Sequence, residues 1–300
     1  MRHRLGIPVW TSAKCSGFPP FFLTIMSSFQ PNNLFNVSGK VVLVTGGSRG
    51  IGKMIASGFI ANGAKVYISA RTAKACEETA KELNALGPGE CVAIAADLSK
   101  LSEVERLVKE IAEKEKALHV LVNNAGAAWE ESIDSFPDHA FTKVMTLNVQ
   151  RVFNITQKCL PMLRAAAELG GKLGESYKDP ARIINIGSVE GLSIQGTGHE
   201  TYAYSASKAA LHHLSRHLAA RLGHEGITSN TIACGPFQSK MMAYTLETLG
   251  DAFVSSIPSK RIGTPEDIVG TTLFLSGRSG AWVTGATITL DGGQLFGPRL

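Results

Sequence analysis

"KVVLVTGGSRGIG", residues 40 to 52, is the stretch on which the fold turns. The unbroken aliphatic and β-branched run from Val41 to Thr45 reads as a strand buried on both faces. Glycines at 46, 50 and 52 follow, and a helical pattern begins at once. A strand, a glycine turn and a helix N-terminus make a phosphate cradle, because backbone without side chains lets N–H groups and the positive helix end approach a pyrophosphate. The spacing here is G-x3-G-x-G rather than G-x-G-x-x-G, and a glycine turn alone would also suit an ordinary bend. The strand before it and the helix after it favour binding, with Thr45, Gly46, Ser48, Arg49, Gly50, Ile51 and Gly52 as the expected lining.

Working outward, six more short apolar runs alternate with longer amphipathic ones. Residues 64–70, 91–96, 118–124, 181–187, 227–233 and 286–292 read as strands. Helical patterns fit 50–62, 73–86, 100–116, 139–167, 204–223 and 265–277. Near-continuous apolar strands separated by helices imply parallel pairing with both sheet faces covered. The expected fold is α/β: a single doubly wound Rossmann domain, residues 38–300, on a seven-stranded parallel sheet. Two stretches break the alternation. The glycine-rich "ELGGKLGESYKDP", 168–180, reads as a surface excursion. Residues 235–264, with Met241, Met242, Tyr244 and Phe253, lie beyond a strand's carboxyl end and are the expected lid.

Composition narrows the function. With 300 residues, 44% hydrophobic and 18% charged, the chain matches a soluble globular protein. The net charge is +5, but Arg2, Arg4, Lys14 and Lys40 stand in an acid-free opening, which leaves +1 for the rest and no basic face for nucleic acid. Cys15, Cys76, Cys91, Cys159 and Cys234 show no paired spacing, which argues for reduced thiols in a cytoplasmic setting and against zinc. Residues 1–37 read as an N-terminal extension, disordered or targeting. Residues 1–25 would make the protein mitochondrial if they act as a presequence, and Met26 is an alternative start. The apolar run of residues 18–26 is short and broken by Pro19 and Pro20, so no membrane span is expected.

The nucleotide is read at position 71. A site selective for NAD places an acid at the end of the second strand to hold the ribose 2′-hydroxyl. Here "YISARTAK" puts Arg71 there, and no acid precedes Glu77. Arg71 and Arg49 suit a 2′-phosphate, each charged contact being worth roughly 1.5–3 kcal/mol, although two solvated arginines are the plain alternative. The expected cofactor is NADP(H).

In "TYAYSASKAAL", 201–211, Tyr204 and Lys208 are one helical turn apart, whereas Tyr202 pairs with Ala206. A lysine charge ~5 Å from a phenolate at an effective dielectric of ~20 contributes about 3 kcal/mol, so the phenol is expected to fall by ~2 pKa units. Ser188 ends a strand in "INIGSVEG", Asn148 lies in "TLNV", and "NNAG" closes another strand at Asn123–Gly126. These converge on the carboxyl edge. Of His212, His213 and His217, the i, i+4 pair has metal-binding spacing, but a helix surface or subunit interface is the expected setting. His199 and Glu200 are expected as exposed loop polarity, and Met241 and Met242 as either acyl-pocket lining or helix packing.

With those residues in hand, the chain resembles the short-chain dehydrogenases/reductases over about residues 38–297, since TGGSRGIG, NNAG, LNV, GS and YSASK occur in that family's order. Within the family, "ISAR" and "INIGSVEGLS" look most like the 3-oxoacyl-acyl-carrier-protein reductases associated with rhamnolipid synthesis. The resemblance implies a homodimer or homotetramer and a catalytic set of Asn148, Ser188, Tyr204 and Lys208. Tyr204 would protonate the carbonyl oxygen and Ser188 would orient it. Lys208 would bind the nicotinamide ribose and lower the tyrosine, and Asn148 would support a relay water. Asp97 would match the adenine-side acid, and Asn124, Ala125 and Gly126 the segment beside the cofactor. The implied activity is ketone reduction, favoured on a 3-oxoacyl thioester. Alcohol, steroid or polyketide oxidoreduction is the alternative, and a silent nucleotide sensor or scaffold a further one. Two departures stand out: the family's Pro-Gly reads Cys234-Gly235-Pro236, and 16 residues separate Ser188 from Tyr204, which implies a reshaped loop at "IQGTGHE".

Overall fold

The computed structural model describes residues 29–194, 200–239 and 242–297. The leader of residues 1–25, Met241, His199 and most of the "IQGTGHE" loop lie outside the described residues.

All seven expected strands form one parallel sheet. They are β1 (Val41–Thr45), β2 (Lys65–Ser69), β3 (Glu90–Ala93), β4 (Val120–Asn123), β7 (Ala181–Ile186), β8 (Ile227–Cys234) and β9 (Thr287–Leu290). Their order is β3-β2-β1-β4-β7-β8-β9. Each pair runs parallel in register, for example Val42 against Val66 on one side and Val120 on the other. The order reverses between β1 and β4, so a crevice opens at their carboxyl ends, where ligands of open α/β sheets bind.

Helices α1 (Gly50–Ala61), α2 (Ala73–Leu83), α3 (Leu101–Ala112), α4 (Asp138–Met145), α5 (Arg151–Leu169), α6 (Tyr202–Leu222), α7 (Ala243–Ser256) and α8 (Pro265–Ser276) cover the sheet. Two cores result, one on each face. On one face Val104, Leu107 and Ile111 of α3 pack with Ile155 and Leu163 of α5 over Leu43 and Leu121. On the other, Ile55 and Phe59 of α1 pack with Ile268 and Leu275 of α8 over Val42, Val44 and Ile184. Each fully buried side chain of this size contributes roughly 1.5–3 kcal/mol. The β1 residues from Val41 to Val44 therefore alternate between two cores, which is why the run is apolar up to Thr45 at its end.

The structure corrects two expectations. The single helix foreseen over 139–167 is α4 and α5 joined by a π turn, Thr146–Gln150, in which the Arg151 N–H reaches the Thr146 carbonyl. Residues 168–180 hold a small hairpin, β5 (Lys172–Leu173) with β6 (Ser176–Tyr177), and are not only a surface excursion. Its far end delivers Asp179 to two buried cations: Lys40 Nζ at 2.7 Å and Arg182 Nη2 at 3.0 Å. Arg182 is 1% exposed and also donates to the carbonyls of Leu275, Gly277 and Pro180. Residues 235–264 hold a helix, α7, in keeping with their helical pattern; it is broken at Gly250 and its Phe253 is buried.

Candidate active site

The glycine turn is bound to both neighbouring strands. Gly46 N–H donates to the Ser69 carbonyl at 2.7 Å. The Thr45 hydroxyl accepts from the N–H groups of Asn124 (2.9 Å) and Ala125 (3.0 Å) and donates to the Val122 carbonyl. Asn124 Nδ2 returns bonds to the carbonyls of Thr45 and Gly46. Thr45 and Asn124 thus lock "NNAG" against the turn. Gly46 holds a φ of +66°, and a Cβ on Gly52 would meet the Gly46 carbonyl oxygen at 2.4 Å. Only glycine fits at either position. Thr79 of α2 donates to the Ser48 carbonyl and holds the turn from outside.

Arg49 and Arg71 are both exposed at this edge. Among the described residues neither forms an ion pair with a carboxylate. Asp97 is half-buried, and its Oδ1 accepts from the Ser99 N–H and hydroxyl. Burial pushes its carboxyl up, but the Ser99 bonds, with the Lys100 and Arg71 charges, outweigh burial and hold it below its usual value.

Across the crevice, α6 carries Tyr204 and Lys208 on one face. Tyr204 is half-buried, and the Ser188 side chain is near enough to its phenol to favour the ionised form. Ser188 caps a single turn, Val189–Gly191, by accepting the Glu190 N–H at 3.2 Å. Lys208 is buried with Nζ 5.4 Å from the centre of the Tyr204 ring, and it donates to the Ile186 carbonyl at 2.8 Å. Tyr202 points elsewhere: it is 39% exposed, bonds Glu200 and stands edge-on to Phe136. Tyr204 is the tyrosine that meets the serine.

The electrostatics reverse one expectation. Burial pushes the Tyr204 phenol well above its usual value, the Glu190 charge pushes it further, and the Ser188 side chain only partly offsets them. Lys208 does not bring it down. Burial lowers Lys208 itself to about 8, so the ammonium discharges before the phenol ionises. Burial likewise pushes the neighbouring Cys234 thiol up to about 12. A neutral phenol and a lysine near its midpoint therefore face the crevice.

Asn148 sits 1% exposed in the π turn, a distortion that recurs at functional sites. Its Oδ1 accepts the Ala127 N–H at 2.9 Å, and its Nδ2 donates to the Ala127 carbonyl (2.8 Å) and the Ser207 hydroxyl (2.9 Å). The side chain is a clamp between the loop after β4 and α6. Gly126 lies against it, a Cβ there falling 3.2 Å from Asn148 Oδ1.

Three site residues escaped the sequence reading. Ser207 is visible only as the serine before Lys208. Glu190 follows Ser188 by two positions, and its Oε2 accepts the Thr201 hydroxyl at 2.6 Å. His212 is 1% exposed, not on a helix surface: its Nε2 accepts the Ser188 N–H at 3.4 Å, and it packs against Gly187 and Gly191. His213 and His217 are exposed as expected, and among the described residues no cluster suits a metal. The Cys234-Gly235-Pro236 order also has a cause. A Cβ at 235 would lie 2.7 Å from Asp291 Cα, so glycine must stay there. Pro236, lacking an N–H, offers its carbonyl to the Gly263 N–H at 2.9 Å. That bond and the Phe237–Gly263 bridge tie the two ends of the 235–264 segment together.

Known proteins share this arrangement. The short chain dehydrogenase family model matches residues 40–250. The chain is 46% identical over 262 residues to the rhamnolipids biosynthesis 3-oxoacyl-[acyl-carrier-protein] reductase of Pseudomonas aeruginosa, covering 86% of this chain and 97% of that one. It is 31% identical over 257 residues to a 3alpha-hydroxysteroid dehydrogenase of Mediterraneibacter gnavus, with 85% and 97% covered. Among solved structures, the Pseudomonas aeruginosa RhlG/NADP active-site complex superposes with a TM-score of 0.81 at 45% identity, over 87% of this chain and 98% of that one. No helix among the described residues is long and apolar enough to cross a membrane. A match over residues 40–250, which takes in the glycine turn and the Tyr204 helix, fixes the assignment: this chain belongs to the short-chain dehydrogenase family.

Proposed function

We propose that this chain is an NADPH-dependent reductase that converts a ketone to a secondary alcohol, with a 3-oxoacyl thioester as its favoured substrate. The observation that carries the reading is the meeting of the Ser188 hydroxyl and the Tyr204 phenol beside Lys208, across the crevice from the glycine turn. The near-half identity to a 3-oxoacyl reductase, and the likeness to a structure solved with NADP, support substrate class and cofactor.

The residues present suit the dinucleotide. A side chain would collide at Gly46 and Gly52 and is disfavoured at Gly50 by a φ of +52°, which leaves backbone N–H groups and the α1 N-terminus for a pyrophosphate. Thr45, Ser48 and Ile51 shape that turn, and Asn124, Ala125 and Gly126 border it. Asp97 suits the adenine side, and the unpaired Arg49 and Arg71 suit a 2′-phosphate. Bound there, NADPH supplies the hydride.

The chain's own part is the proton. Ser188 donates a hydrogen bond to the carbonyl oxygen and holds it against Tyr204. Burial keeps the phenol protonated through the physiological range, as a general acid must be, and Tyr204 gives its proton to the same oxygen. Lys208 lies behind it and stabilises charge developing on the phenol oxygen. Asn148 holds the π turn against Ala127 and Ser207, where it would support a relay water. Kept neutral, the phenol favours reduction over oxidation. The likeness to a hydroxysteroid dehydrogenase keeps alcohol, steroid or polyketide substrates as the second reading.

We also propose residues 1–37 as an extension, 38–300 as the catalytic domain and about 235–264 as its lid. A homodimer or homotetramer is supported by Trp282 and Phe296, 93% and 89% exposed. A cytoplasmic setting is supported by four free cysteines, Cys76, Cys91, Cys159 and Cys234. The residues on which a mitochondrial alternative rests are outside the described ones.

The test is NADPH consumption with acetoacetyl-CoA by the unmodified protein and by Tyr204→Phe. Turnover confined to the unmodified protein, with NADPH still bound by the variant, is the expected result. Turnover that survives in the variant would refute the mechanism, and none in either would move the substrate to the second reading.

A further inference from the structure

Glu190, inside "INIGSVEG", takes no part in the proton transfer above, yet it is held in place on three sides. Its N–H donates to Ser188 Oγ at 3.2 Å, its carbonyl accepts the Ser205 hydroxyl at 2.8 Å, and its carboxylate accepts the Thr201 hydroxyl at 2.6 Å. Thr201 is the N-cap of α6 and Ser205 lies in its first turn, so the carboxylate is fixed between the serine turn and the mouth of the tyrosine helix. It is half-buried, which weakens solvent screening.

The groups that face the Tyr204 phenol come from every element around it: Ser188 and Glu190 from the turn after β7, Lys208 from α6, and Cys234 from the end of β8. His212, one turn beyond Lys208, faces the lysine. Cys234 is a neutral thiol at physiological pH and burial lowers His212 to about 4, so neither carries charge there. Glu190 is the described carboxylate whose charge reaches both Tyr204 and Lys208.

We propose that Glu190 is the specificity-determining charge of this site: its carboxylate turns away ketones that carry their own carboxylate beside the reacting carbonyl and restricts turnover to uncharged esters, thioesters and simple ketones. The inference rests on the reading of Tyr204 as proton donor, since it requires the carbonyl to sit at the Ser188–Tyr204 pair. A free 3-oxo acid held by its carbonyl at Ser188 would bring its own carboxylate to the turn on which Glu190 is fixed, two residues on. Repulsion between like charges on one turn, in a partly dry site, amounts to roughly a hundredfold in binding. The thioester or ester of the same acid has no such charge. The fixed carboxylate also opposes ionisation of the phenol.

The test compares the unmodified protein with Glu190→Gln and Glu190→Asp, using ethyl acetoacetate and acetoacetate as probes, and reads the ratio of their kcat/KM values. Glu190→Gln is expected to raise the acetoacetate-to-ester ratio by roughly tenfold or more, and Glu190→Asp, which keeps the charge, by less than about threefold. A second readout needs no turnover. Tyrosinate absorbance is titrated in each protein against its Tyr204→Phe counterpart, and the midpoint assigned to Tyr204 is expected to drop by about one pH unit in Glu190→Gln. An unchanged ratio, a Glu190→Gln protein dead on both probes, or an unmoved tyrosinate midpoint would each overturn the proposal. Turnover surviving in Tyr204→Phe would instead defeat the parent reading, and the titration would still decide what Glu190 does to the phenol.

Discussion

Replacing Lys208 by Met removes the one cation that backs the Tyr204 phenol, and the structure sets the size of the effect. The ammonium lies 5.4 Å from the ring centre. While Lys208 is protonated, a unit charge at about that separation and an effective dielectric of ~20 contributes at most about 3 kcal/mol to negative charge forming on the phenol, the dehydration of both groups working against it, or up to roughly a hundredfold in rate. Because burial has brought Lys208 down to about 8, that stabilisation is present below pH 8 and is lost as pH rises through it. The assay is kcat/KM for ketone reduction from pH 6 to 10. The unmodified protein is predicted to show an alkaline limb near pH 8; Lys208→Met runs flat, up to about two orders of magnitude lower, and Lys208→Arg loses the limb because its charge persists. A Lys208→Met profile that keeps the limb would assign it to another group and refute the reasoning. Stability moves the other way. A lysine lowered from 10.5 to about 8 destabilises the fold at pH 7, a penalty that fades as pH climbs between those values. Lys208→Met is therefore expected to gain up to about 3 kcal/mol at pH 7, less the loss of the bond to Ile186, in urea unfolding.

Three further outcomes are expected. Arg71→Asp, with Arg49→Ala, should move the NADPH-to-NADH preference in kcat/KM by roughly a hundredfold or more, because two charge-assisted contacts vanish and an acid stands ready for the ribose hydroxyl; an unchanged preference would remove both arginines from the site. Asp179→Ala should cost about 3–5 kcal/mol by denaturant unfolding, since buried Lys40 and Arg182 are both left without their counter-ion, and a loss under about 1 kcal/mol would contradict that account. His212, lowered by burial and the Lys208 charge to about 4 from 6.5, contributes stability that is complete above pH 6.5 and is lost as pH falls towards 4; His212→Gln should unfold with a shallower pH dependence across that window, and an identical slope would exclude the histidine.

Legibility followed the range of the interactions. The strands were plain because β1, β4 and β7 are buried on both faces and cannot hide a polar residue in mid-run, except where a partner exists. Asn185 is such an exception, joined to Asn123 and Ser215 inside the sheet. Tyr204 and Lys208 were plain because one helical turn separates them. What the sequence withheld was long-range. The π turn at Asn148 depends on Ala127 and Ser207, 21 and 59 positions away. The role of Asp179 depends on Lys40, 139 positions back, so a polar, glycine-rich excursion concealed a buried ion pair. His212 read as surface because its neighbours His213 and His217 are exposed, whereas two glycines, at 187 and 191, make the space its ring fills.

The tyrosine shows why the right spacing did not yield the right electrostatics. Spacing alone gives the Tyr204–Lys208 distance, and Coulomb's law at that distance predicts a lowered phenol. It omits the water that both groups lose. Dehydration acts on each with opposite sign, raising the acid and lowering the base, until the pair crosses and the lysine gives up its proton first. That crossing points the chemistry. A phenol that stays protonated donates, so an arrangement of the same residues in a wetter crevice would suit alcohol oxidation, while this buried one suits ketone reduction. Glu190, which adds its charge on the same side as burial, reinforces that direction.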